Sequence, residues 1–164
     1  NDKITPIGPK ARNINKELSY KDGEFNQLAY WMDRQIIDNY PLDLVSPVDW
    51  TDESQNMNDR VRSYLDVNCG HCHSPTGNAN STGLYLHLNE TRDTHLGVYK
   101  KPVATGRGSG GLKYSIVPGK PDESILLHRM ISMDPGVMMP ESGRALTHEE
   151  AVEMVREWIL LMEN

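Results

Sequence analysis

The five residues Cys69-Gly70-His71-Cys72-His73 constrain this chain more than any other stretch. They hold both of its 2 cysteines and follow the second with a histidine. The order C-x-x-C-H is the attachment signature for a c-type haem. Two thiols at that spacing can each add to a vinyl group of the macrocycle and form a thioether bond. The adjoining imidazole is then placed to bind the iron from the proximal face. The segment therefore predicts one covalent haem c held through Cys69 and Cys72, with His73 as an axial ligand.

Other chemistries fit the spacing less well. A zinc site would need further Cys or His residues at short intervals. His71, His73 and a remote histidine could complete a Cys2His2 set, but their spacing matches no zinc finger. A thioredoxin-like dithiol would need a βαβ context, and none is evident. A disulfide across two intervening residues would be strained.

The length of 164 residues fits one domain with an appended segment. A formal charge of 17 − 23 = −6 disfavours nucleic acid and anionic membrane surfaces as partners. It mildly favours a partner with a basic docking patch. Mean hydropathy is −0.60, and no apolar run reaches membrane-spanning length. The opening Asn1-Asp2-Lys3 in place of Met reads as a processed form or an excised domain. Covalent haem attachment of this type in bacteria takes place outside the cytoplasmic membrane, so a periplasmic, secreted or cell-surface location is expected.

Along the chain, Pro6, Gly8 and Pro9 make residues 1–22 an irregular arm. Leu28, Trp31, Met32, Gln35 and Ile36 lie at helical spacing, and Pro41 and Pro47 then mark a connector. Thr51 or Asp52 would cap a second helix whose stripe is Met57, Val61, Tyr64 and Leu65. This helix runs straight into Cys69. Residues 84–88 and 112–117 read as short strands of an insert. Asp122 would cap a helix through Met130, and Thr147-His148-Glu149-Glu150 reads as a capping box opening the C-terminal helix. Gly106-Arg107-Gly108-Ser109-Gly110-Gly111 lacks the context of a phosphate-binding loop and reads as a flexible loop.

A second axial ligand is expected from the loop Asp134-Pro135-Gly136-Val137-Met138-Met139-Pro140. Met139, directly before proline, is the preferred ligand and Met138 the runner-up. Met57, Met130, Met154 and Met162 sit at helical spacing and read as core. His87, His95 and His128 read as ordinary hydrogen-bonded or solvent-facing side chains. A neutral thioether opposite His73 would raise the potential relative to a second imidazole, and a saturated iron suits electron transfer.

In the order of these parts the chain resembles the class I c-type cytochromes over roughly residues 52–164. The resemblance rests on a helix leading into Cys69-x-x-Cys72-His73, a Met139-Pro140 loop and a C-terminal helix carrying Trp158. Val117-Pro118-Gly119-Lys120-Pro121-Asp122-Glu123-Ser124 looks like a version found in cytochrome modules of larger secreted or surface bacterial proteins. Such modules are often fused to dehydrogenase or carbohydrate-active domains. The resemblance implies a mainly all-α cytochrome c fold of about three to five helices around one haem. The first and last helices would cross, with Tyr64 or Leu65 meeting Trp158 or Ile159. An N-terminal extension over 1–50, a cytochrome domain over 51–164 and a possible short β-hairpin insert complete the expected organisation.

Within that frame Arg107, Lys113, Tyr114, Trp50 and Arg12 are candidate donors to the haem propionates. The Pro75 carbonyl would orient the His73 ring. The expected function is single-electron transfer by a monomer, with a redox protein or fused dehydrogenase domain as partner, and without catalysis of its own. A peroxidase-like or gas-binding haem with a displaceable ligand is the enzymatic alternative. A haem that serves only as a folding staple is the structural one.

Overall fold

In a computed structural model describing residues 9–163, local caps and turns decide where each element begins. The chain divides into two compact units, one ending at Val48 and one starting at Asp49.

The first unit contains a short helix α1 (Ala11–Ile14), an antiparallel hairpin of β1 (Glu17–Tyr20) and β2 (Gly23–Asn26), and helix α2 (Gln27–Asp33). The hairpin replaces the irregular arm expected up to residue 22, and residues 1–8 of that arm lie outside the described residues. Asp22-Gly23 explains it, since an Asp-Gly step suits a tight turn and Gly23 takes φ +140°. Tyr20 stacks on Tyr30 with ring centroids 3.8 Å apart, which ties the hairpin to α2. Asn26 stops the strand and caps the helix by accepting from the backbone N–H groups of Leu28 and Ala29. The helix ends earlier than its apolar spacing predicts, because Gln35 adopts φ +57°.

The second unit is built on helices α3 (Met57–Asn68), α4 (Asp93–Leu96), α5 (Ile125–Ile131) and α6 (Glu149–Leu161). Thr51 and Asp52 do not cap α3. They form turns in which Asp49 and Asp52 accept from Thr51 and Ser54, and Asn56 caps the helix through Asn58 N–H at 2.9 Å. The start of α5 also differs from expectation. Asp122 sits in a single turn of 3-10 helix, Pro121–Glu123, and pairs with Arg156 at 2.7 Å. Ser124 marks the start of α5, its hydroxyl accepting from Val117 N–H and donating to the Lys120 carbonyl, both at 2.9 Å. The capping box at Thr147 does not form; His148 precedes α6, and Thr147 reaches the Ile131 carbonyl instead.

No strand forms at 84–88 or 112–117 among the described residues. Their backbones are used locally: Tyr85 N–H donates to the His95 carbonyl and Leu86 N–H to that of His73. Two isolated parallel bridges, Val98 with Ile116 and Tyr114 with Ser124, tie the insert together.

The core follows the periodicity of the two long helices. Val61, Tyr64 and Leu65 of α3 pack in one buried cluster with Ala151, Val152, Met154, Val155, Trp158 and Ile159 of α6. Leu86, Ile116, Leu127 and Met130 complete it. Met57 and Met162 lie partly buried against it, so the helically spaced methionines are packing residues. Trp158 Nε1 donates to Asn58 Oδ1 at 3.1 Å, fixing α6 against α3 with a polar bond at the cluster's edge. Tyr64 is hydrogen-bonded to His148 at 3.2 Å, and burial pushes its phenol up to about 12. Among the described residues no helix is long and apolar enough to cross a membrane.

Leu65 is fully buried one turn before Cys69. Leu65→Ala is expected to lower the unfolding free energy by about 2–5 kcal/mol in urea titrations, through lost transfer energy and an unfilled cavity. A loss under about 1 kcal/mol would show that the α3–α6 contact does not hold this end of the helix.

Candidate functional site

The last turn of α3 does not simply stop at the cysteines; it tightens into them. Cys69 N–H and Gly70 N–H both donate to the Leu65 carbonyl at 2.9 Å. Cys72 N–H and His73 N–H then donate to the Cys69 carbonyl at 3.1 and 2.9 Å. All five motif residues are thus wound on the end of one helix. Gly77 closes the following loop at a point where a Cβ would stand 2.2 Å from the Cys72 carbonyl oxygen. Ala79 N–H reaches that same carbonyl at 3.0 Å. A side chain at 77 would therefore displace the backbone that presents Cys72.

Both cysteines are free and half-buried. Burial, reinforced by Cys72, pushes the Cys69 thiol up to about 12, so it is protonated at neutral pH. Burial also pulls the His73 imidazole below its ordinary range; a hydrogen bond with the Leu84 backbone opposes this, and Arg129 and His71 add to it. The ring is neutral at pH 7, the form a metal requires. Its Nδ1 is buried with no hydrogen-bond partner among the described residues. The backbone contact to the ring comes from Leu84, not from Pro75 as the sequence suggests.

Residues 84–90, joined to the motif where Leu86 N–H donates to the His73 carbonyl at 2.8 Å, are held by buried polar side chains of α3. Arg62 donates from Nη2 to the carbonyls of His87, Leu88 and Glu90 at 2.8–3.0 Å. Asp66, wholly buried, accepts from Leu88 N–H at 3.0 Å. Glu90, 6% exposed, accepts from Arg92 Nε and Nη2 at 2.9 Å and pairs with His95 Nδ1 at 3.1 Å. The Arg92 hydrogen bonds hold the Glu90 carboxyl well below the usual carboxylate range.

The methionine loop is clamped by two arginines. Met139 N–H donates to the Arg129 carbonyl at 2.9 Å, and Arg129 Nε donates to the Val137 carbonyl at 2.8 Å. Arg144 Nη1 reaches the carbonyls of Met130 at 2.7 Å and Met139 at 2.9 Å, and its Nη2 binds that of Ser132. Both backbone groups of Met139 are therefore fixed, and the bond to Pro140 is cis. Met138 is anchored through its N–H to the Asp134 carbonyl at 2.8 Å. Met138 and Met139 are both half-buried. Arg129 acts on both predicted ligands separately: its charge helps lower the His73 imidazole, and its carbonyl accepts from Met139 N–H.

The other sequence candidates are engaged elsewhere. Arg107 pairs with Asp134 at 2.9 Å, and Lys113 lies over the Tyr114 ring. Trp50 packs edge-on against Tyr64 and His148, and His95 belongs to the Glu90 network. His128 is packed against Gly110 in the insert, where a Cβ would approach its Nε2 to 2.5 Å. Arg12 belongs to the first unit. Sequence reasoning missed Arg129 and Arg144; the one available signal was a pair of arginines bracketing the Met-Pro loop. A cleft of about 570 Å3 between α3 and α6, lined by Trp50, Met57, Arg60, Glu153, Met154 and Leu160 among others, includes none of Cys69, Cys72, His73 and Met139.

No family model matches the chain, and no curated protein or solved structure matches it. Function must be argued from the donor set itself. Two thiols, an imidazole with a buried unpartnered nitrogen and a methionine on a held backbone are donors of the kind a covalently held iron macrocycle takes.

The Glu90 network carries a pH signature. A depressed carboxylate stabilises the fold above its unfolded pKa of about 4.3 and loses that contribution as pH falls through and below it. The urea midpoint is expected to drop more steeply between about pH 6 and pH 3 in the wild type than in Glu90→Gln. Parallel curves would show that the Glu90 carboxylate does not stabilise the insert.

Proposed function

We propose that the second unit is a monohaem c-type cytochrome domain of the class I type, carrying single electrons between redox partners. The observation that carries this reading is the joint presentation of Cys69, Cys72 and a half-buried His73, its Nδ1 shielded from solvent, at one helix end. When bound, a haem c supplies a reversible one-electron ferric/ferrous couple.

In this reading Cys69 and Cys72 anchor the macrocycle, and α3 keeps the two sulfurs in register. His73 offers a neutral ring nitrogen to the iron, and the Leu84 segment restrains the ring's orientation. Met139 presents a thioether from a loop whose backbone Arg129 and Arg144 already hold, which lowers the entropy lost on ligation. Arg129, half-buried and close enough for its charge to act on His73, is a further candidate donor to a propionate besides Arg107, Lys113, Tyr114, Trp50 and Arg12. Because thioether attachment of this kind belongs outside the bacterial cytoplasm, the domain works in the periplasm or at the cell surface. Its partner is a redox protein or a dehydrogenase domain of the same polypeptide.

The test is expression with a haem c maturation system. The protein is expected to retain haem through denaturing electrophoresis, to show no titratable thiol when unfolded, and to give a low-spin six-coordinate spectrum in both redox states. Met139→Ala should lose the six-coordinate ferrous spectrum and bind carbon monoxide, while Met138→Ala should keep it. A colourless protein with two titratable thiols would overturn the proposal. Carbon monoxide binding by the unmodified ferrous protein would favour the gas-binding or peroxidase-like alternative.

A further inference from the structure

Charge is unevenly distributed along this acidic chain. Between Asp93 and Asp122 there is no acidic residue, while Lys100, Lys101, Arg107, Lys113 and Lys120 supply five positive charges. The rest of the chain therefore carries −6 − 5 = −11. Two of the five are neutralised: Lys120 pairs with Glu123 at 3.0 Å and Arg107 with Asp134 at 2.9 Å. Lys100, Lys101 and Lys113 have no carboxylate at ion-pair distance among the described residues.

These three lysines are gathered by the backbone. Ser115 N–H donates to the Lys100 carbonyl at 2.8 Å, and Tyr99 N–H donates to the Ile116 carbonyl at 2.9 Å, which sets 98–101 beside 113–116. Tyr99 and Tyr114 meet edge-on with centroids 5.7 Å apart, and Lys113 Nζ stands 5.3 Å over the Tyr114 ring. Tyr99 is 49% exposed. The result is a basic patch around two tyrosines, a composition that suits recognition more than stability.

The insert that carries the patch borders the candidate site. Lys100 Nζ lies 3.6 Å from where a Gly83 Cβ would stand, and Gly83 stands shortly before Leu86, whose N–H donates to the His73 carbonyl at 2.8 Å. At the other end of the insert, Gly108 packs against the guanidinium of Arg129. We propose that Lys100, Lys101 and Lys113, with Tyr99 and Tyr114, form the docking surface for a redox protein presenting an acidic patch. This rests on the electron-transfer reading above. It reverses what the net charge of the whole chain suggests about the partner, because steering depends on the local field at the docking face.

The test uses the full-length haem-loaded protein and small redox probes of opposite charge. Oxidation of the ferrous form by hexacyanoferrate(III), which takes one electron and becomes hexacyanoferrate(II), reads the positive field. At low ionic strength Lys100→Glu/Lys113→Glu is expected to slow this reaction about tenfold, with the gap closing as salt is added. Lys120→Glu/Arg156→Glu makes the same change in net charge within the second unit, at two cations already paired with Glu123 and Asp122, and should leave most of the rate. Oxidation by cationic tris(phenanthroline)cobalt(III) should be unchanged or faster in the Lys100/Lys113 variant. Equal effects of the two double variants, or no dependence on probe charge, would overturn the proposal. Titration with a polyglutamate peptide, followed by amide resonances, should move residues 98–101 and 113–116 whether or not haem is present. Movement elsewhere, or tighter adsorption to anionic phospholipid vesicles than to the peptide, would also overturn it. A protein that binds no haem but shows the peptide shifts would sink the electron-transfer reading while leaving an acidic partner at this face.

Discussion

Helix α3 is confined from two sides, and the geometry at its C-terminal end depends on that confinement. One side, with Val61, Tyr64 and Leu65, is buried against α6. The other presents Arg62 and Asp66, which are buried and bound to the backbone of residues 87–90. Burying an ion such as the Arg62 guanidinium costs several kcal/mol unless it is paired and hydrogen-bonded. Here Arg62 binds three carbonyls, and Asp66 and Glu90 act on its charge. The arrangement gives the insert a fixed seat on α3 without needing a strand or an apolar ridge of its own. Cys69 and Cys72 then inherit the rigidity of a helix that cannot rotate towards either neighbour.

How much of this was legible in the sequence follows from where each signal is written. The cysteine motif and the apolar periodicity of α3 and α6 are local patterns, and the structure places those residues on adjacent turns and in one core. The Asp22-Gly23 turn was also local, but the proline-rich arm before it obscured the signal and the hairpin was missed. The insert was misread for another reason. Leu84-Tyr85-Leu86-His87-Leu88 alternates as a strand would, yet no strand pairs with it, because Arg62, Asp66 and the His73 carbonyl occupy its backbone groups. Such bonds join residues distant in sequence and leave no periodicity. Arg129 and Arg144 were invisible for the same reason: each acts on main-chain carbonyls of a loop whose own composition says only that it turns.

The loop around Met139 shows why arginine occupies those two positions. A guanidinium offers five N–H donors in a fixed plane and stays charged when half-buried. Arg144 uses this to bridge three carbonyls that α5 and the loop leave without helical partners. Lysine could point at one or two of them but would not hold their spacing. The loop is thus ordered by the protein before any ligand is bound. That preorganisation is what a weak thioether ligand needs if it is to stay on iron in both oxidation states.

The same arginine chemistry separates the two electrostatic tasks of the domain. Arg129 is half-buried and spent on local geometry: Val137, the Met139 backbone and the field at His73. Of the insert's lysines, Lys101 and Lys113 are exposed and Lys100 is half-buried, and their charges act through space over about a Debye length. An acidic chain can therefore present a positive face where it matters, provided that face is free of carboxylates. The stretch from Asp93 to Asp122 meets that condition by composition alone. The fold completes it by pairing Lys120 and Arg107 away and leaving three lysines around Tyr99 and Tyr114. Net charge describes the solubility of the whole molecule, but the sign of a docking partner is decided by which cations the structure leaves without a carboxylate beside the site.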